Sequence, residues 1–250
     1  MSPNKKKNFW KRIGKSACPD DVVRDMSINQ IKKHIKKNSN VIDIGCGDGF
    51  CTFKFLDKNI KSIKGIDFSS TSIKNAKKNK EILGLKNKIT FEVGDVTELS
   101  KFYNSYENVI TIRCLINLGN KEKQFSALSE IYKTLKKNGT YIMCENFNDN
   151  LINLNKIRAK LGLEKIKTRW HNRYLNNIEI RNFVTKKLKF KIISESNFAS
   201  SYYFLTRVVK PFLFKTQSKE VEYNDEFNQL SSKFETFGNF SPMKILILKK

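Results

Sequence analysis

A chain of 250 residues, 39% hydrophobic and 12% aromatic, holds enough apolar material for one sizeable core, and no long polar linker divides it into two. Its longest apolar runs, such as residues 109–112 and 245–248, fall far short of the roughly 20 residues of a membrane helix, and no apolar stretch follows the basic N-terminus as it would in a secretory signal. Cytoplasmic residence is the default expectation. The formal charge of +24 points by itself to a polyanionic partner, but the lysines are spread along the whole chain on solvated helix faces, as in 31–37 and 73–80, which favours compositional bias over a dedicated nucleic-acid surface.

The first element expected is a helix over 21–37, where Val22, Val23, Met26, Ile28, Ile31 and Ile35 recur at helical spacing. A strand over 40–44 runs into Gly45-Cys-Gly-Asp-Gly49, and residues 50–56 continue as a helix. A second strand, 63–66, ends at Asp67; Ser69-Ser-Thr-Ser72 offers N-cap chemistry for a helix over 73–83 that Gly84 closes. Residues 89–93 form a third strand, stopped by Gly94-Asp95. The rhythm repeats with a strand at 108–113, a helix at 121–135 with a basic C-terminus and cap at 136–139, and a strand at 140–144. Beyond residue 150, helices are expected over 155–161 and 178–188, a sixth strand over 190–195 and a last one over 243–248. Strands alternating with helices at this spacing predict an α/β fold, a doubly wound, seven-stranded, mostly parallel sheet with an insertion before the last strand. The chain is read as one domain: an N-terminal helical cap (1–37), a cofactor-binding core (38–148) and an acceptor-side half (149–250) that carries the insertion 196–242.

Five cysteines, Cys18, Cys46, Cys51, Cys114 and Cys144, are scattered without a Cys-x-x-Cys pair, and His34 and His171 are the only histidines. They are read as reduced, mostly buried thiols, with no metal site expected. Dinucleotide enzymes place Gly-x-Gly-x-x-Gly between a first strand and first helix; here Gly45, Gly47 and Gly49 are spaced by two and Phe50 stands where the third glycine would be, which argues against a nicotinamide cofactor. Three alternate glycines let the backbone turn sharply and let a ligand lie on main-chain atoms. Asp43 sets a carboxylate beside that turn, suited to a cationic amino-acid group, and a carboxylate at Asp67 is able to accept both hydrogen bonds of a ribose diol.

Asp43 followed by Gly45, Gly47 and Gly49 resembles the first motif of the class I S-adenosylmethionine-dependent methyltransferases, and the resemblance covers residues 38–148. It implies that the glycine loop packs on the methionine part of S-adenosylmethionine, that Asp67 holds the ribose, and that Asp95 and Val96 meet the adenine. The cofactor set it implies is Asp43, Gly45, Cys46, Gly47, Gly49, Asp67, Phe68, Asp95, Val96 and Arg113. An Asp after a strand is more often a turn or helix cap when taken alone; three of them at the ends of three successive strands carry the reading.

The fourth strand ends in Arg113-Cys-Leu-Ile-Asn-Leu118, where enzymes of this class place groups close to the transferred methyl. Neither the Asn-Pro-Pro-Tyr of adenine-N6 DNA enzymes nor the Pro-Cys of cytosine-C5 enzymes occurs, which argues against a DNA substrate. His171, flanked by Arg169, Trp170, Asn172 and Arg173, is the candidate general base, and Arg113, Arg169, Arg173 and Glu145 are candidate acceptor contacts; packing of Trp170 and His171 onto the sheet is the competing reading. The segments 146–175 and 200–203 are similar to small-molecule methyltransferases associated with surface-polysaccharide and modified-sugar clusters, which implies a sugar, nucleotide-sugar or phosphorylated acceptor. Phe9 and Trp10 are read as a lid over the cofactor or as core packing. An RNA methyltransferase, and a catalytically silent cofactor-binding partner subunit, are the alternatives.

Overall fold

The computed structural model describes residues 19–85, 88–214 and 222–250. The expectations for Phe9, Trp10 and Cys18 lie outside the described residues.

Helix α1 (Asp21–Lys32) is capped by Asp20, whose side chain accepts the Val23 N–H, and it stops five residues short of the expected end. The turn that follows, at Lys33 and His34, closes on carbonyls of Gln30 and Ile31 and turns the chain toward the sheet. Strand β1 (Asn40–Ile44) leads through the glycine loop into the short helix α2 (Phe50–Lys54). Strand β2 (Ser62–Asp67) and helix α3 (Ser70–Ile82) follow, with Ser69 as the N-cap accepting the Ser72 N–H. Strand β3 (Ile89–Val93), strand β4 (Tyr106–Ile112) and helix α4 (Lys121–Thr134) complete the first half.

One segment departs from expectation. Lys136-Lys-Asn-Gly139 does not cap α4; it belongs to strand β5 (Leu135–Asn146), which pairs Leu135 with Tyr106 and then shifts register before Thr140 meets Asn108. Asn138 takes φ +62° inside this irregularity, the conformation that asparagine tolerates best after glycine. The second half contains helix α5 (Asn148–Lys160), helix α6 (Asn177–Asn182) continuing into a π turn at Phe183–Lys187, and strand β6 (Lys191–Ser196). Helix α7 (Ser200–Phe204) passes through a second π turn at Leu205–Val209 into helix α8 (Lys210–Phe214); helix α9 (Glu226–Ser231) and strand β7 (Met243–Lys249) close the described chain.

The seven strands form one sheet in the order β3-β2-β1-β4-β5-β7-β6, parallel except for β7, which runs antiparallel to both neighbours. Alternation along the strands sends side chains to two cores. Val41, Ile110, Ile142, Ile245 and Ile247 pack with Ile28 and Ile31 of α1, Ile73 and Ala76 of α3, and Tyr202 of α7. Ile42, Ile44, Val109, Tyr141, Met143, Leu246 and Leu248 face α4 through Leu128 and Ile131, and α6 through Ile180. Each fully buried Ile or Leu contributes about 1.5–3 kcal/mol, so apolar area is the main attachment of the helices on both faces. The strand order reverses beside β1, between β2 and β4, and the crevice at the carboxyl ends of these strands is where an open α/β sheet receives a ligand. Among the described residues no helix is long and apolar enough to cross a membrane.

Candidate cofactor cleft and adjoining cavity

The carboxyl ends of β1, β2, β3 and β4 open on a cleft of about 220 Å³. Asp43, Gly45, Cys46, Gly47, Asp67, Phe68, Asp95, Val96 and Arg113 all line it, so nine of the expected cofactor residues are brought together. Gly45, Gly47 and Gly49 adopt φ of +79°, +58° and +84°, a region that only glycine enters at no steric cost. Their surroundings separate them. A Cβ on Gly45 would stand 2.7 Å from the Cys114 sulfur, and one on Gly49 would stand 2.8 Å from the Phe91 ring, whereas nothing lies within 4 Å of the corresponding point on Gly47. Gly47 therefore presents bare backbone to the cleft. Gly49 does not line it; it is the left-handed N-cap of α2, pressed against Phe91.

Two carboxylates organise the loop. Asp67 accepts the Gly47 N–H at 3.0 Å and the Ser69 N–H at 2.8 Å, one on each oxygen, tying the loop to the end of β2 while each oxygen keeps a further lone pair. Burial raises its pKa, against the two backbone hydrogen bonds that lower it. Asp43 is buried and accepts the Thr52 hydroxyl at 2.6 Å; desolvation pushes it up to about 7, against the pull of that bond and with Asp67 adding repulsion. Asp95 forms a turn at the wall of the cleft. Its Oδ1 accepts the Thr97 N–H at 2.9 Å and the Thr97 hydroxyl at 2.8 Å, forming the turn, and the residue still lines the cleft. Burial keeps the Cys46 and Cys114 thiols protonated, so the sulfur in the loop acts as a small apolar filler.

Arg113 sits at φ +53° at the end of β4, its N–H bonded to the Cys144 carbonyl at 2.8 Å and its carbonyl to the Asn117 amide at 2.7 Å. It lines the cleft and also a second cavity of about 150 Å³, and Met243 is the other residue common to both. The second cavity carries Asn146, Lys167, Arg169, Asn172, Tyr174, Tyr203, Arg207 and Tyr223 on its walls. Arg169 and Asn172 thus face a chamber beside the cleft.

Glu145 and His171 do not. Glu145 lies in neither cavity: fully buried, its Oε1 accepts the N–H of Cys114 at 2.9 Å and of Leu115 at 3.0 Å, and its Oε2 that of Ile116 at 3.4 Å. It holds the turn after Arg113, and burial pushes its pKa up to about 7 despite those bonds. His171 is 3% exposed and lines neither cavity; its ring meets the Trp170 ring edge-on at 5.3 Å, which is the packing reading of that segment.

Sequence reasoning missed Arg24 and Ser27, which bring α1 over the cleft, with the Arg24 guanidinium 4.0 Å above the Phe50 ring. It also missed Met243. Arg24 lies on the apolar side of a recognised helix, a signal that a polar residue there has something specific to meet.

The methyltransferase domain family matches residues 35–195, so the chain belongs to this family of class I S-adenosylmethionine-dependent methyltransferases. It is 27% identical over 116 residues to a demethylmenaquinone methyltransferase of Leptospira interrogans, covering 46% of each chain. It is 33% identical over 88 residues to ajmaline N-methyltransferase of Rauvolfia serpentina, covering 35% of this chain and 30% of that one. The chain thus spans less than half the length of these curated relatives. Its fold is similar to that of a methyltransferase solved with the Trm112 methyltransferase activator of Haloferax volcanii, with a TM-score of 0.61 and 16% identity, covering 99% of this chain and 93% of that one.

Proposed function

We propose that this protein transfers the methyl group of S-adenosylmethionine to a small acceptor held in the second cavity, the acceptor being a hydroxyl of a sugar, nucleotide-sugar or phosphorylated precursor. The observation that carries the reading is the shared wall: Arg113 and Met243 stand between a cleft suited to the cofactor and a chamber edged by Lys167 and Arg169. Cations and tyrosines on that chamber suit an anionic or sugar-like molecule.

When bound, S-adenosylmethionine supplies an electrophilic methyl on a sulfonium. The open backbone at Gly47 and the carboxylate of Asp43 suit its methionine end, the spare lone pairs of Asp67 its ribose, and Asp95 with Val96 its adenine. The chain's contribution is alignment: Arg113 is fixed at its backbone by Cys144 and Asn117, and Glu145 fastens the following turn, so the wall between the chambers is rigid. Burial of His171 leaves it out of this scheme as a base. The N-terminal cap, core and acceptor-side half proposed for the chain follow the same division, with α1 and the 196–242 insertion both reaching the second cavity.

The test is incubation with methyl-labelled cofactor and separate panels of sugar phosphates, nucleotide sugars, quinols, amines and bulk RNA. Label in a sugar or nucleotide-sugar fraction supports the proposal. Label in RNA that declines steeply with salt would establish the RNA reading instead.

A further inference from the structure

Among the described residues, the insertion before β7 contributes none to the lining of the cofactor cleft, yet it contacts the helix that does. Asp20, the N-cap of α1, accepts the Val23 N–H at 3.0 Å and the Tyr202 hydroxyl at 2.9 Å on Oδ1, and its Oδ2 is paired with the Arg207 guanidinium. Arg207 lies in the π turn at Leu205–Val209, a geometry that redirects a helical side chain and recurs at functional sites. Its guanidinium donates to the Thr206 hydroxyl at 2.7 Å and stands 4.8 Å from the Tyr223 ring and 5.2 Å from the Tyr203 ring. Both partners of the pair are more than nine-tenths buried.

A buried ion pair is weak as a source of stability, because desolvation offsets much of the attraction; what it supplies is a fixed geometry. Here the geometry is that of α1. One turn after Asp20, Arg24 stacks on Phe50 of α2, directly after the glycine loop, and Arg24 and Ser27 line the cleft. Asp20 and Val23 face the second cavity, so α1 and its cap border both chambers beside the wall formed by Arg113 and Met243.

We infer that the Asp20–Arg207 pair positions α1 for cofactor binding, making Arg207 a positioning residue for a cleft it does not line. The inference rests on the reading of that cleft as the S-adenosylmethionine site. Without the pair, the N-terminal turn of α1 is free to leave Phe50, and apparent cofactor affinity is multiplied by the fraction of molecules in which the helix is seated.

The experiment is calorimetric titration of S-adenosylmethionine into wild type, Arg207→Met, Arg207→Lys, Asp20→Asn and the double variant D20N/R207M, with a melting curve for each. Asn at position 20 retains the cap, so D20N keeps the test intact if R207M does not fold. The expected result is affinity about ten-fold weaker in R207M and in D20N, no further loss in the double variant, and partial recovery in R207K. Wild-type affinity in D20N and R207M beside a lowered melting temperature would overturn the inference, as would losses that add in the double variant. Failure of the wild type to bind the cofactor would instead remove the reading of the cleft, and this inference with it.

Discussion

The Gly47 N–H donates to Oδ2 of Asp67 across 3.0 Å, so the loop proposed to meet the methionine end of the cofactor and the carboxylate proposed to hold its ribose are one hydrogen-bonded unit. Whatever shifts the loop shifts the carboxylate.

The glycines of that unit are expected to fail differently. Gly47→Ala places a residue at φ +58° with open space around its Cβ, at a cost of about 1 kcal/mol, while the methyl protrudes into the cleft. Gly45→Ala adds a clash with Cys114 to the same backbone penalty, for a total of about 2–4 kcal/mol. Melting curves and cofactor titrations should show G45A as mainly a stability defect and G47A as mainly an affinity defect; the reverse order would refute the assignment.

Arg113 permits a separation of stability from turnover. Its φ of +53° is strained for arginine, so Arg113→Gly relieves the backbone and should keep folding stability within about 1 kcal/mol of wild type. Turnover should fall on the order of ten-fold or more if the guanidinium holds an anionic acceptor. Chemical denaturation and steady-state rates check the two halves; full activity in R113G would show that the side chain contacts nothing that matters.

For His171 the structure predicts silence in catalysis. His171→Asn is expected to lower the melting temperature, because a buried packed ring is lost, and to leave the pH dependence of turnover unchanged. A general base would contribute about 10²–10⁴-fold, so disappearance of an acidic limb with a loss of that size would restore the base role.

Glu145 makes stability pH-dependent in a specific direction. Its folded-state pKa, about 7, lies above the ordinary glutamate value of 4.5, so the native state holds the proton more tightly than the unfolded chain does. Its contribution is complete below the unfolded pKa and is lost as pH rises through about 7, amounting to about 3 kcal/mol for a fully buried group. Asp43, also raised to about 7, acts in the same window and sense. Glu145→Gln imitates the protonated form and should flatten the decline in stability between about pH 5 and 7 by up to one proton. An unchanged slope in denaturant midpoint against pH would show that Glu145 is already ionised in that range.

Much of this site was legible because it is local. Each of Asp43, Asp67 and Asp95 follows an apolar run that could only be a strand, and the parallel topology then carries all three to one edge of the sheet. The glycine at position 49 is demanded twice over, by the left-handed cap and by Phe91, and spacing alone does not say which neighbour a glycine avoids. For Glu145 and His171, position at a strand end or beside arginines gives proximity, whereas direction is set by the turn at Cys114–Ile116 and by Trp170. The Asp20–Arg207 pair joins residues 187 apart, and no periodicity in either segment announces such a contact.

The reversal of β7 has a consequence for biogenesis. Strand β6 joins the sheet through β7, which enters between β5 and β6 only after residues 197–242 have been made. At ordinary elongation rates that interval is roughly 2–10 s. Throughout it, β5 and β6 each offer an unsatisfied edge on a nascent polypeptide, the condition under which sheets recruit foreign strands. The 196–242 insertion therefore sets a delay in synthesis as well as a wall of the second cavity, and lengthening it would be expected to tax chaperone capacity before it altered the cofactor cleft.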